Sequence, residues 1–133
     1  TPPTDPLPQR LGDLHREFVS LIDEFRPHGV AVEQVFFQVN VRTAMSVGQA
    51  SGLALAAASQ AGCEVVQYTP NQVKDAVAGY GAANKEQVTK MVQVRLGLPT
   101  PPKPADVADA AALALCHLAM APMRRSLAKA RLS

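Results

Sequence analysis

The sequence contains no tryptophan, few aromatic residues and only two cysteines. Aromatic residues make up 5% of its 133 residues and hydrophobic residues 47%, so we expect an aliphatic core of Ala, Val and Leu. Cys63 and Cys116 are far apart and lie among apolar residues. This excludes a metal site with closely spaced cysteines and is typical of reduced core cysteines in a cytoplasmic protein.

Long hydrophobic runs are also absent. The longest apolar-rich stretch, residues 50–61, contains Ser and Gln and is too short to span a bilayer. No signal peptide is visible at the start of the chain. We therefore expect a cytoplasmic protein with no membrane partner.

The net charge is only +2, but the basic residues are unevenly distributed. Residues 71–103 contain five Lys or Arg against two acidic residues, and residues 119–133 contain basic residues and no acid. A basic surface around a small acidic focus suits a polyanion substrate and a metal ion. Ordinary surface lysines and a solvated basic C-terminal tail over 122–133 explain the same charges.

Apolar periodicity predicts alternating helices and strands. Apolar residues at three- and four-residue spacing predict a helix that ends before Pro27. Beyond it we expect strands at 30–37 and 64–70, and helices at 40–62, 71–79, 84–98 and from Pro104 onward. Asn71 is the expected cap of the helix at 71–79, and Asn84 and Gln87 have capping-box spacing at the start of the helix at 84–98. This alternation predicts an α/β fold, in which the apolar first strand is buried and parallel. Two strands do not form a stable covered sheet, so we expect further strands to be missing or to come from another chain.

Three carboxylates have unusual sequence surroundings. Glu33 interrupts the strand VAVEQVFF, and Asp106 and Asp109 lie at the start of the apolar segment KPADVADAAALALCH. A spacing of three places both aspartates on one side of a helix. A shared Mg²⁺ ion would relieve the cost of burying such groups. Alternatively, the aspartates interact with the helix dipole and Glu33 faces solvent at an edge.

Three segments, VAVEQVFFQVNVRTAMSVGQASG, TPNQVKDAVAGYGAANKEQVTKMV and PKPADVADAAALALCHL, resemble the RuvC family of bacterial Holliday junction resolvases. The resemblance covers about residues 7–121 and implies an RNase H-like fold, a mixed sheet flanked by helices, in a single resolvase domain over 1–133. The family domain opens with a D-P-G strand that this sequence lacks. We therefore expect the domain to be N-terminally incomplete, without its first strands and one metal ligand, and this chain alone not to cut DNA.

The resemblance implies that Glu33, Asp106 and Asp109 are catalytic and bind two Mg²⁺ ions, for which Mn²⁺ can substitute. One ion would activate a water and the other would stabilise the leaving 3′ oxygen.

The resemblance also implies contacts with DNA. Phe36 matches an aromatic residue that stacks on an unpaired base; the alternative is a core Phe36 beside an exposed Phe37. The other positions implied to contact DNA are Asn40 and Arg42, in the loop after the strand, and Lys74 and Lys85, facing phosphates. Lys90, Arg95 and Lys103 are interpreted as ordinary surface charge, with contact to DNA as the alternative. His117 is interpreted as a core or capping residue.

The implied substrate is four-way junction DNA, nicked symmetrically by a homodimer during recombination and DNA repair, with the RuvA–RuvB branch-migration complex as partner. The small-residue helix at 44–61 is the expected dimer surface, or else packs within the chain. The alternatives are another RNase H-like metal nuclease and a catalytically incomplete junction-binding or structural fragment.

Overall fold

The computed structural model describes residues 2–34 and 41–132. Its elements in chain order are α1 (Leu7–Phe25), β1 (Gly29–Glu33), α2 (Val41–Gln60), β2 (Glu64–Tyr68), α3 (Pro70–Ala78), α4 (Lys85–Leu96) and α5 (Ala105–Leu132). The predicted order of helices and strands is confirmed. The end of the first predicted strand, with Phe36 and Phe37, and the following Asn40 lie outside the described residues.

The chain forms two compact units, residues 1–67 and 68–133. In the N-terminal unit, α2 packs against both α1 and β1, and Ala57 and Ala58 of α2 are buried. Helix α1 is capped at its C-terminal end by Arg26, whose backbone is in the left-handed conformation and whose N–H donates to the Ile22 carbonyl. Phe25, the last residue of α1, is 70% exposed.

Strands β1 and β2 pair in a two-stranded sheet among the described residues, and the pair is parallel. The predicted burial of the first strand is wrong for the residues of it that the structure describes. Residues 29–32 are half-buried and Glu33 is exposed, because each strand of a two-stranded sheet has a free edge.

The C-terminal unit is built on α3, α4 and α5, which all pack against one another. Val77, Val92 and Ala112 form a buried cluster at their centre. The predicted aliphatic core is therefore confirmed for this unit, with one aromatic addition, the fully buried Tyr68.

Two helices of this unit begin with capping boxes, only one of which the sequence analysis identified. The Asn84 side chain accepts from the Gln87 N–H at 2.8 Å, as predicted. The predicted cap of α3 at Asn71 is wrong: the Thr69 hydroxyl accepts from the Gln72 N–H at 3.1 Å, and Gln72 Oε1 accepts from the Thr69 N–H. Asn71 therefore lies inside the helix, two residues after the cap.

Helix α5 is 28 residues long and extends through the predicted basic tail, with Pro122 inside it. By length and composition alone it could cross a membrane. Its residues Ala108, Ala112 and Cys116 are nevertheless buried, and the helix packs on α3 and α4. One such helix is weak evidence for a membrane span, because core helices of water-soluble proteins have the same length and composition, although only 17% of its 18-residue apolar stretch is buried. The expectation that residues 50–61 are the longest apolar-rich stretch is wrong.

Candidate functional site

The two aspartates of α5 lie in its first turns and are both exposed. Ala108, Ala112 and Cys116, spaced by four residues, form the buried stripe of the helix, so Asp106 and Asp109 occupy the remaining outward positions. Glu33, at the end of β1, is exposed as well. The premise that burial forces these carboxylates to take a cation is therefore wrong, and their charge is compatible with the fold on its own.

Asp109 has a lysine partner. Lys85 Nζ lies 3.4 Å from Asp109 Oδ2, and the two side chains are 65% and 53% exposed. Lys85 is the first residue of α4, directly after the cap Asn84, so the packing of α4 on α5 brings the two helix starts together. Exposed ion pairs contribute at most about 1 kcal/mol. A metal ion or a phosphate can therefore replace either partner at little cost.

The three proposed metal ligands are divided between the two units. Glu33 belongs to the N-terminal unit, and Asp106 and Asp109 belong to the C-terminal unit. Within neither unit do three or more His, Cys, Asp or Glu residues, among those that the structure describes, form a group able to hold a metal ion. The convergence of Glu33 with the two aspartates stays a prediction.

The predicted DNA-contacting residues lie on helices where the structure describes them. Arg42 is exposed and is the second residue of α2, and its carbonyl accepts from the Ser46 hydroxyl at 3.2 Å. Arg42 therefore lies in the helix predicted over 40–62, and the loop position that the resemblance implied for it is wrong, because the helix begins at Val41. Lys74 is half-buried on α3 and Lys85 is exposed at the start of α4.

His117 takes part in a cluster that the sequence did not reveal. Its Nδ1 lies 2.7 Å from the hydroxyl of buried Tyr68, and the guanidinium carbon of Arg124 lies 5.4 Å from the centre of the Tyr68 ring. These contacts join Tyr68, at the end of β2, to two residues of α5 that are at least 49 positions away in sequence. His117, interpreted from the sequence as a core or capping residue, is half-buried inside α5, and its structural contact is the one with Tyr68.

Both cysteines are free thiols, as predicted. Cys116 is buried and lies 3.7 Å from the Gln72 carbonyl. Burial raises the pKa of its thiol, and the positive charge of Arg124 partly opposes that rise. Cys63 is half-buried and donates to the Pro27 carbonyl at 3.4 Å. Neither environment is that of an activated nucleophile.

Comparison with known proteins identifies close relatives. The family model for crossover junction endodeoxyribonuclease RuvC matches residues 1–117. The RuvC protein of Desulfitobacterium hafniense is 55% identical, and the match covers 88% of this chain and 71% of that protein. The RuvC protein of Salinispora arenicola is 53% identical, and the match covers 98% of this chain and 74% of that protein.

Solved structures agree with the sequence comparison. A Thermus thermophilus RuvC structure is 45% identical and superimposes with a TM-score of 0.84. A second, of T. thermophilus RuvC in complex with a Holliday junction substrate, has a TM-score of 0.86. Both matches cover 92% of this chain and 74% of the other. The predicted α/β, RNase H-like fold is confirmed, and the chain belongs to the RuvC family of crossover junction endodeoxyribonucleases.

Proposed function

We propose that this protein is a DNA endonuclease that resolves four-way Holliday junctions by paired symmetric nicks during recombination and DNA repair. One observation carries the proposal: the TM-score of 0.86, at 45% identity, to a RuvC solved with its junction substrate. A different RNase H-like nuclease is disfavoured because the RuvC family model matches from residue 1 to residue 117.

The RuvC family is one of metal-dependent nucleases. We propose that Glu33, Asp106 and Asp109 hold two Mg²⁺ ions, for which Mn²⁺ can substitute. The donor set fits, because Mg²⁺ prefers carboxylate oxygens and keeps several of its waters, which exposed side chains permit. When bound, the ions supply an activated water and charge stabilisation at the scissile phosphate. Lys85 already places a positive charge beside Asp109, which indicates that this carboxylate readily accepts a cation.

The DNA contacts are proposed from the family match together with exposure. Lys85 and Arg42 are exposed and would bind phosphates as positive charges without selecting a base sequence. Lys74 is proposed as a second lysine contact. Phe36 is proposed to stack on an unpaired base at the junction centre, and Phe37 and Asn40 to line the same region.

Homodimerisation is proposed through α2. Gly48, Gly52 and Ala56 follow one another at four-residue spacing and are all exposed. Within the part of the chain that the structure describes, no atom outside the adjoining helix backbone lies within 4 Å of the Cβ positions that side chains at the two glycines would occupy. Such a stripe lets a second helix approach closely. A symmetric dimer would match the two symmetric nicks. The RuvA–RuvB complex is the proposed partner and the cytoplasm the proposed location.

Nicking of a synthetic four-way junction, with a linear duplex of the same arm sequence as control, tests the function. The chain is assayed as printed and with the D-P-G strand segment of a family member joined before Thr1. We expect the joined version to make symmetric, Mg²⁺-dependent nicks in the junction and to leave the duplex intact. Equal cleavage of both DNAs, or none of either, would contradict the proposal. Phe36→Ala should keep junction binding and reduce nicking.

A further inference from the structure

A groove of about 520 Å³ lies between the first turns of α4, the proline-rich loop before α5 and the first residues of α5. Three lysines line it, Lys85, Lys90 and Lys103, against a single acidic residue, Glu86. All of these residues belong to the C-terminal unit. The sequence alone favoured ordinary surface charge for Lys90 and Lys103, with contact to DNA as the alternative.

The rest of the lining differs in character from the lysines. Pro101, Pro102, Ala105 and Ala108 contribute apolar surface, and Ala108 is buried. The loop around the two prolines has little conformational freedom to lose on binding a ligand, because each ring fixes its own φ. An apolar wall beside positive charges is complementary to a chain that alternates charged groups with apolar ones.

A DNA strand has this alternation, with a phosphate and then a deoxyribose carrying its base. The groove adjoins the proposed cleavage site, because Lys85 lines the groove and lies 3.4 Å from Asp109. We infer that this groove holds a strand of a junction arm, with phosphates at Lys85, Lys90 and Lys103 and a deoxyribose against Pro101 and Pro102. The inference rests on the proposed function and assigns the path of the strand leaving the cleavage site.

Since lysines bind phosphates as point charges, the contact should be independent of sequence and sensitive to salt. Each phosphate contact adds about 0.9 to the slope of log affinity against log salt concentration. The double variant Lys90→Met with Lys103→Met should therefore lower that slope by about 2, equally for arms of different sequence. Lys90→Met alone should lower the slope by about 0.9, and Arg95→Met is its matched control, because it removes one positive charge from the same helix at a residue outside the groove lining.

The experiment measures fluorescence anisotropy of a labelled four-way junction and of a linear duplex, over a salt series without divalent metal. Acetylation of lysines, quantified by peptide mass spectrometry with and without the junction, adds a readout at each position. We expect the slope to fall by about 2 in the double variant and by about 0.9 in Lys90→Met, and to stay close to its original value in Arg95→Met. Lys90 and Lys103 should become protected by DNA, and the unfolding midpoints of the variants should stay unchanged.

The outcomes separate the groove from the proposed function. If the unmodified chain prefers junction over duplex, but the double variant changes the slope no more than Arg95→Met and neither lysine is protected, the groove assignment is overturned while the function stands. If the double variant weakens binding, but the unmodified chain binds duplex as tightly as junction, the groove stands and the junction function fails. A chain that binds neither DNA would overturn both.

Discussion

Replacing Lys85 with methionine separates a structural role of this lysine from a role in DNA binding. Methionine keeps an unbranched apolar side chain and removes the charge that lies 3.4 Å from Asp109. At that distance, two unit charges in water attract by about 1 kcal/mol. The exposure of the two side chains, 65% and 53%, keeps the effective dielectric close to that of water, and ordering the long side chain costs part of the gain. The free energy of unfolding should therefore fall by less than about 1 kcal/mol.

Lys85→Met should reduce the salt dependence of DNA binding more than the control variant Arg95→Met does. Loss of one phosphate contact lowers the slope of log affinity against log salt concentration by about 0.9. Urea denaturation gives the stability, and anisotropy of a labelled junction between about 50 and 200 mM salt gives the slope. Arg95→Met controls for the general loss of positive charge on α4.

One result would refute this reasoning. If Lys85→Met lowered the unfolding free energy by more than about 2 kcal/mol and left the salt slope at its original value, Lys85 would be a structural residue. The ion pair with Asp109 would then be its main role, and the assignment of the lysine to phosphate binding would fail.

Three further predictions test other parts of the molecule. Asp109→Asn should abolish Mg²⁺-dependent nicking by the joined version. It should leave junction affinity equal or slightly higher, because a negative charge is removed near the phosphates. Gel-shift and nicking assays on one junction measure both, and lost binding would count against a metal role. Thr69→Ala should cost about 1 kcal/mol in urea denaturation, whereas Asn71→Ala should cost much less; equal losses would contradict the assignment of the cap. Iodoacetamide should modify native Cys63 before Cys116, as peptide mass spectrometry would show, because burial raises the pKa of the Cys116 thiol. Because the Cys116 thiol keeps its proton to a higher pH in the folded state than in the unfolded state, its contribution to the free energy of unfolding is fully present below the pKa of the unfolded thiol. That contribution is lost as the pH rises through the pKa of the folded thiol.

Local signals in the sequence were sufficient for the elements of this fold. Apolar spacing and the glycine and proline positions located the helices and strands, and the spacing of Asn84 and Gln87 located one capping box. The same rule applied to Thr69 and Gln72, three residues apart with Pro70 between them, would have located the other. That error came from incomplete use of a local signal.

Contacts between distant residues had no such signal. Lys85 and Asp109 are 24 residues apart, and Tyr68 and His117 are 49 apart, so both pairings depend on how the helices pack. Exposure was equally hard to predict, because the apolar sequence around Asp106 and Asp109 suggested burial for every residue in it. A helix buries only the face that meets its neighbours, and the residue composition of a segment does not show which face that is.

The structure of α5 accounts for the two carboxylates in an otherwise apolar helix. Ala108, Ala112 and Cys116 form a buried stripe of small side chains, which lets α5 pack closely on α3 and α4 and brings Asp109 to the first residue of α4. Asp106, in the first turn of α5, is favoured by the helix dipole, and Asp109, beyond that turn, lies beside the positive charge of Lys85. The dipole explanation and the proposed metal role are therefore compatible. A helix end that already favours negative charge can present Asp106 and Asp109 at little cost to folding, and an exposed ion pair is weak enough for a metal ion to take Asp109 while Lys85 moves to a phosphate.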